Sequence, residues 1–140
     1  MEEKCSFCRI VEGLEPAQVV YETSRTLAFF PLAPAVLGHT LVIPKKHIQD
    51  IWSLDEDWGC TLLKTCLKIA RGLKRALSPD GLNIINSTGT AASQTVMHIH
   101  FHLVPRWQND NFGSIWPPSP PISDQIKDDA AARIRWAMNA

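Results

Sequence analysis

Three histidines, His98, His100 and His102, occupy alternate positions within residues 94–106, with Met97, Ile99, Phe101 and Leu103 between and beside them. Period-two alternation marks a half-buried β-strand, because successive side chains leave opposite faces. The stretch therefore reads as one strand with an apolar face toward a core and three imidazoles in a row on the other. Side chains at i and i+2 of a strand lie ~7 Å apart. At an effective dielectric of about 20, two imidazolium charges at that distance repel by roughly 2 kcal/mol, more than one pKa unit. The three are then not all charged near pH 7, and at least one is a neutral imidazole able to act as nucleophile, base or metal ligand. The bland alternative is three polar side chains on the wet face of a sheet, which would put three of the chain's five histidines in register for no chemistry.

The 140 residues suit one domain with a real core. A hydrophobic share of 45% beside 20% charged residues is that of an ordinary globular protein. Fourteen basic residues balance fourteen acidic ones without a long basic run, so nucleic acid is not an expected partner. No apolar run has transmembrane length and the first residues are unlike a leader, so no membrane partner is expected and the setting is cytoplasmic. The four cysteines then read as reduced thiols. Cys60 and Cys66 fall inside a helical pattern, while Cys5-x-x-Cys8 is half of a zinc site or a redox pair.

Along the chain, residues 6–12 form a short helix stopped by Gly13 and Pro16. Residues 18–22 and 26–30 are strands joined as a hairpin, and Pro31 and Pro34 impose a loop. Residues 38–44 are turn, strand and stop. Ser53 with Glu56 fits a capping box for a long helix over 54–77. Its stripe is Trp58, Leu62, Cys66, Ile69, Leu73 and Leu77, widened by Leu63, Leu67 and Ala70. Residues 82–86 are a strand, and 87–93 a loop of small polar residues. Beyond Arg106, Trp107, Phe112 and Trp116 should pack an irregular segment down. Four prolines in 117–121 keep the chain extended, and a last helix over 123–138 starts at Ser123 with Ile126, Ala130, Ile134 and Met138 on one face. The sum is an α+β fold: an antiparallel sheet of about five strands covered on one side by a long helix, a short N-terminal helix and a C-terminal helix. Residues 1–140 form a single domain, with a motif-bearing core over 1–107 and an extension over 108–140.

The chemistry these residues suit is phosphoryl. A loop of small residues, Gly89 to Ser93, lets backbone N–H groups approach an anion. The Gln94 amide and Thr95 hydroxyl add donors. A neutral imidazole can attack phosphorus in line, and water can later cleave the product. A neighbouring imidazole can protonate the leaving oxygen. No catalytic metal is required.

The run His98-Ile99-His100-Phe101-His102-Leu103-Val104, followed by Pro105-Arg106, resembles the signature of the histidine triad (HIT) family of nucleotide hydrolases and transferases. Gln94-Thr95-Val96, the run from Gly38 to His47, Leu27-Ala28-Phe29, Val20-Tyr21-Glu22 and Cys5-x-Phe7-Cys8-x-Ile10 extend the likeness over roughly 5–107 in the same order. The resemblance implies a HIT-like fold, a homodimer, and attack on the α-phosphate of a nucleotidyl ester, phosphoramidate or dinucleoside polyphosphate through a nucleotidyl-histidine. It places His100 as nucleophile, His102 at the leaving-group oxygen, and His98 in support or on metal. Gln94 and Thr95 match phosphate contacts, Ser87 and Ser93 stand in the phosphate loop, and His39 matches a position that supports the site rather than taking part in the chemistry. Phe7, Ile10, Phe29 and Leu32 match the apolar slot for the base. Some bacterial-type members hold structural zinc at positions that are Cys5, Cys8, His47 and His98 here, a sound tetrahedral set. The alternative is a nucleotide- or phosphate-binding protein of the same fold with little catalytic activity. Departures from the pattern are specific. Pro31 stands where many members carry an Asp that holds the ribose hydroxyls. Ser87 replaces Asn of an N-x-G run, with Asn86 expected on the opposite face. Ser93 replaces a glycine, which should reshape the loop because serine resists positive φ.

Overall fold

The computed structural model describes residues 5–140. Eight elements follow one another: α1 (Ser6–Val11), β1 (Gln18–Glu22), β2 (Thr26–Phe30), β3 (Thr40–Pro44), α2 (Glu56–Leu77), β4 (Gly81–Ile85), β5 (Phe101–Arg106) and α3 (Asp124–Met138). The five strands form one antiparallel sheet in the order β1-β2-β3-β5-β4. β1 and β2 are the expected hairpin. Its turn is closed by Thr23, whose hydroxyl accepts from the Arg25 and Thr26 amides at 3.2 and 2.9 Å.

Both faces of the sheet are covered, which corrects the one-sided expectation. Ala28 pairs with Val42, and these two join Ile99, Leu103 and the α2 residues Leu62, Cys66, Ile69 and Leu73 in one core. Leu27, Phe29, Leu41 and Ile43 point the other way and are closed by Phe7 of α1. The cause is legible in β2 and β3. Thr26-Leu27-Ala28-Phe29 and all of β3 are buried without alternation, as strands between two layers are.

α2 starts two residues later than expected. Asp55 is its cap, accepting from the Trp58 amide at 2.8 Å. Ser53 instead ends a 3-10 turn over Ile51–Ser53, and its amide donates to Asp50 at 3.0 Å. Asp55 is the stronger signal in hindsight, because an acid beside the first orphan amides also meets the helix dipole. The buried stripe is narrower than expected: Leu63 and Leu67 lie on the exposed side.

β5 ends in a polar knot. Arg106 bonds Asp110 at 2.8 and 3.1 Å and Asn83 at 2.9 Å, with the Phe112 ring against its guanidinium. Beyond it the extension leaves the body. Trp116 is 79% exposed, against the expectation that it packs down. α3 begins at Ser123 as expected, with the Ser123 hydroxyl accepting from the Ile126 amide at 3.2 Å. Its apolar face, Ile126, Ile134 and Met138, stays in solvent.

Candidate active site

The histidine stretch is not one long strand. β5 begins at Phe101, so His98 and His100 precede the ladder. Other groups anchor them: the Ile99 amide donates to the Ile48 carbonyl at 2.7 Å, and the Asn86 side-chain amide donates to the His100 carbonyl at 3.0 Å. Alternation nevertheless survives. Ile99 and Leu103 enter the α2 core, while the three imidazoles share the α1 face. That face is dry rather than wet. His98 is 0% and His100 7% exposed, and Phe7 meets both rings edge-on at 5.8 and 5.2 Å.

Backbone partners set the neutral tautomers. A carbonyl only accepts, so His98 Nε2, 2.8 Å from the Pro44 oxygen, carries its proton there. By the same argument His100 carries its proton on Nδ1, 2.8 Å from the His98 oxygen, and keeps the lone pair on Nε2. His39 Nδ1 accepts from the Ala35 amide at 3.0 Å, which puts the His39 proton on Nε2. That Nε2 lies 2.9 Å from His102 Nδ1, so His102 accepts at Nδ1 and keeps N–H at Nε2. The result is a lone pair on His100 beside a donor on His102, with ring centroids 5.0 Å apart. His39 holds the His102 ring through this bond. Asn86 does not face away as expected. It sits one residue beyond the end of β4, where strand alternation no longer applies, and so the pattern gave no signal for its role.

Burial, then the positive charge His100 and His39 would carry, push His102 down to about 4. Burial also lowers His100 and His39, against a smaller opposing pull on His100 from the His98 carbonyl. All three are neutral at pH 7. A His whose folded value is depressed binds fewer protons folded than unfolded between the two values, so stability falls as pH drops. For His102 that window runs from the ordinary 6.5 down to about 4. Denaturant midpoints measured across it should decline on acidification, and the decline should shrink in His102→Asn.

A cleft of about 490 Å³ opens beside the pair, and Thr95, His100 and His102 line it. Phe7, Ile10 and Phe29 form its apolar walls, and Leu32 stands fully exposed at its rim. Ser87, Ser93 and Gln94 lie outside this lining. Gln94 is 3% exposed. Its Oε1 accepts from the Gly89 amide at 2.8 Å, and its Nε2 donates to the Gln49 and Val96 carbonyls at 2.9 and 3.1 Å. Both amide protons are thus committed to backbone, and Gln94 closes the loop rather than presenting a donor to the cleft. Ser87 lies in the same loop, next to Thr88, whose hydroxyl accepts from the Ile51 amide at 3.1 Å. Ser93 takes the left-handed conformation outright, at φ 72° and ψ 23°. The loop therefore keeps a glycine-like path, contrary to the expected reshaping, and stores strain there. Relief of ~1–2 kcal/mol in Ser93→Gly exceeds the ~0.5–1 kcal/mol of backbone entropy that glycine loses. A net gain of about 0.5 kcal/mol by denaturant titration is expected.

Behind His98 lies a second cluster. Ligand atoms of Cys5, Cys8, His47 and His98 all fall within 4.8 Å of one another. Cys5 caps α1 and its Sγ accepts from the Cys8 amide at 3.4 Å, which brings both sulfurs to one end of the helix. Cys5 Sγ and Cys8 Sγ lie 3.4 and 3.5 Å from His98 Nδ1, and Cys8 Sγ lies 3.3 Å from His47 Nδ1. Bonds of about 2.3 Å to sulfur and 2.0 Å to nitrogen at tetrahedral angles put such atoms ~3.5 Å apart. The three Cys–His distances have that spacing, and the Pro44 carbonyl already holds His98 in the tautomer a metal needs. The four residues fit zinc.

Three imidazoles set alternately along the segment that leads into β5 of an antiparallel sheet, beside a half-apolar cleft, define a histidine triad protein. The family description HIT domain matches residues 12–109, and the chain belongs to that family. A HIT family protein of Bacillus anthracis has a similar fold, with a TM-score of 0.87 at 36% identity over 96% of this chain and 97% of that one. Adenosine 5'-monophosphoramidase hnt1 of Schizosaccharomyces pombe is 35% identical over 88% of this chain and 90% of its own length. A Zn-bound histidine triad family protein of Mycobacterium smegmatis matches with a TM-score of 0.77 at 36% identity over 98% of this chain and 99% of that one. Among the described residues no helix is long and apolar enough to cross a membrane.

Proposed function

We propose that the chain is a hydrolase or transferase acting on the α-phosphate of a nucleotidyl phosphoramidate, ester or dinucleoside polyphosphate. The observation that carries this reading is the fixed pair of tautomers: a lone pair on His100 Nε2 beside an N–H on His102 Nε2, at one cleft. His100 Nε2 forms a bond to phosphorus as the leaving group departs with its bonding pair. The His102 Nε2–H meets the charge that builds on the departing atom. Water then adds to phosphorus, the N–P bond breaks with its pair returning to His100, and the proton that water sheds balances the one the departing group has taken up. Phe7, Ile10, Phe29 and Leu32 would hold the base, and Thr95 would donate to phosphate. The monophosphoramidase of Schizosaccharomyces pombe supports this substrate class.

Zinc would sit on Cys5, Cys8, His47 and His98, where it supplies a structural cross-link with no open position for substrate. Cys60 and Cys66 as thiols, beside a Cys5/Cys8 pair suited to metal, fit a reducing compartment, the cytoplasm. A second copy of the chain is the expected partner. The uncovered apolar face of α3 and the open edge of β4, where Ile84 is exposed, support a homodimer. Pro31 in the cleft lining favours a second reading, a nucleotide-binding protein with little catalysis. Incubation with adenosine phosphoramidate and diadenosine polyphosphates, with and without chelator, separates the two. Turnover that survives chelation supports the enzyme, and saturable binding without turnover supports the binder.

A further inference from the structure

The cleft lacks an acid at position 31 but not on its wall. Among the described residues Glu15 is the one carboxylate that lines it. It sits at the end where residue 31 sits. Gln18, also in the lining, pairs with Phe30 across β1 and β2, so residues 15–18 run alongside Phe30 and Pro31. Phe7 of α1 touches the His100 ring, Ile10 follows one turn on, and Glu15 comes only after Gly13 has ended the helix at φ 75°. The turn is anchored: the Leu14 and Glu15 amides both donate to the Arg9 carbonyl, at 2.8 and 3.3 Å.

An ionised carboxylate accepts and never donates. Beside phosphate it would repel the substrate; beside the sugar it selects a group that offers donors. Its present partner does not hold it firmly. Arg9 Nε donates to Glu15 Oε1 at 3.4 Å, with both side chains some two-fifths exposed, and such pairs contribute little. A ligand hydroxyl can therefore take the carboxylate over.

We propose that Glu15 grips the vicinal hydroxyls of the substrate's ribose, in place of the acid absent at position 31, and so makes this cleft select ribonucleotides. The assignment rests on the nucleotidyl reading above. Gln18 lies close enough in the chain to share that end of the cleft, and Pro31 supplies only a fixed, apolar rim.

The test is a calorimetric titration of the full chain with AMP and with 2',3'-dideoxy-AMP, for the wild type, Glu15→Ala and Glu15→Gln. The wild type should bind AMP about tenfold more tightly than the dideoxy form, as a hydrogen bond to a charged group implies. Glu15→Ala should bring the two affinities together by weakening AMP alone, and Glu15→Gln should recover part of the difference. If AMP binds but the ratio is unchanged in Glu15→Ala, this assignment is overturned and the nucleotidyl reading stands. If AMP does not bind the wild type at any accessible concentration, the nucleotidyl reading fails and the assignment with it.

Discussion

His100→Ala should lower turnover of adenosine phosphoramidate by about 10⁴-fold or more, while AMP affinity changes by no more than about threefold. The asymmetry follows from where the imidazole acts. Its Nδ1–H is bound to the His98 carbonyl, so only Nε2 faces substrate, and that atom works in bond making rather than in ground-state binding. His102→Ala should behave differently. Its Nε2–H stabilises a departing atom, so the loss should be large for a poor leaving group and small for one that departs readily, such as a nitrophenolate. An alkali-quenched reaction of His102→Ala with an activated ester should then show a mass adduct of one nucleotidyl group on the chain, lost again in acid. Equal losses for good and poor leaving groups would reassign His102 to positioning. Undiminished turnover in His100→Ala would remove it as nucleophile.

The period-two pattern from Met97 to Leu103 was enough to place three imidazoles on one face, because alternation depends only on local extension and not on ladder bonds. It could not show that this face is dry, since the covering element is α1, some ninety residues away, whose Phe7 closes over His98 and His100. The same gap explains the one-sided sheet expected from the element count. Tautomers were equally out of reach. They depend on the Pro44, His98 and Ala35 backbone groups, whose approach to each ring is a tertiary fact. Gln94 and Thr95 are neighbours in sequence, yet one is committed to the loop and the other lines the cleft, a split that composition cannot make. Cys5 and Cys8 were legible as a pair because a helical turn brings i and i+3 together. Their meeting with His47 and His98 was carried by the family resemblance alone.

That meeting has the second large consequence. Purified protein should contain about one zinc per chain, and Cys8→Ser should contain almost none. A ligand held a thousandfold above its Kd stabilises the folded state by about 4 kcal/mol, so stripping the metal should lower the melting temperature by roughly 10 °C in a domain of this size. The effect should reach the site as well as the fold. α1 carries Cys5 and Cys8 on one side and Phe7 and Ile10 on the other, so the residues that would hold zinc also fix one wall of the cleft. His98 links the two directly, since its Nδ1 faces the thiols while its carbonyl orients His100. The stripped protein should therefore show a raised KM with turnover retained. A metal acting in the chemistry itself would instead abolish turnover on removal, along with the fall in melting temperature. Re-addition of zinc to the stripped wild type should restore both melting temperature and KM, and should restore neither in Cys8→Ser. A protein that purifies without metal and melts at the same temperature in chelator would show that the four residues form only a polar cluster.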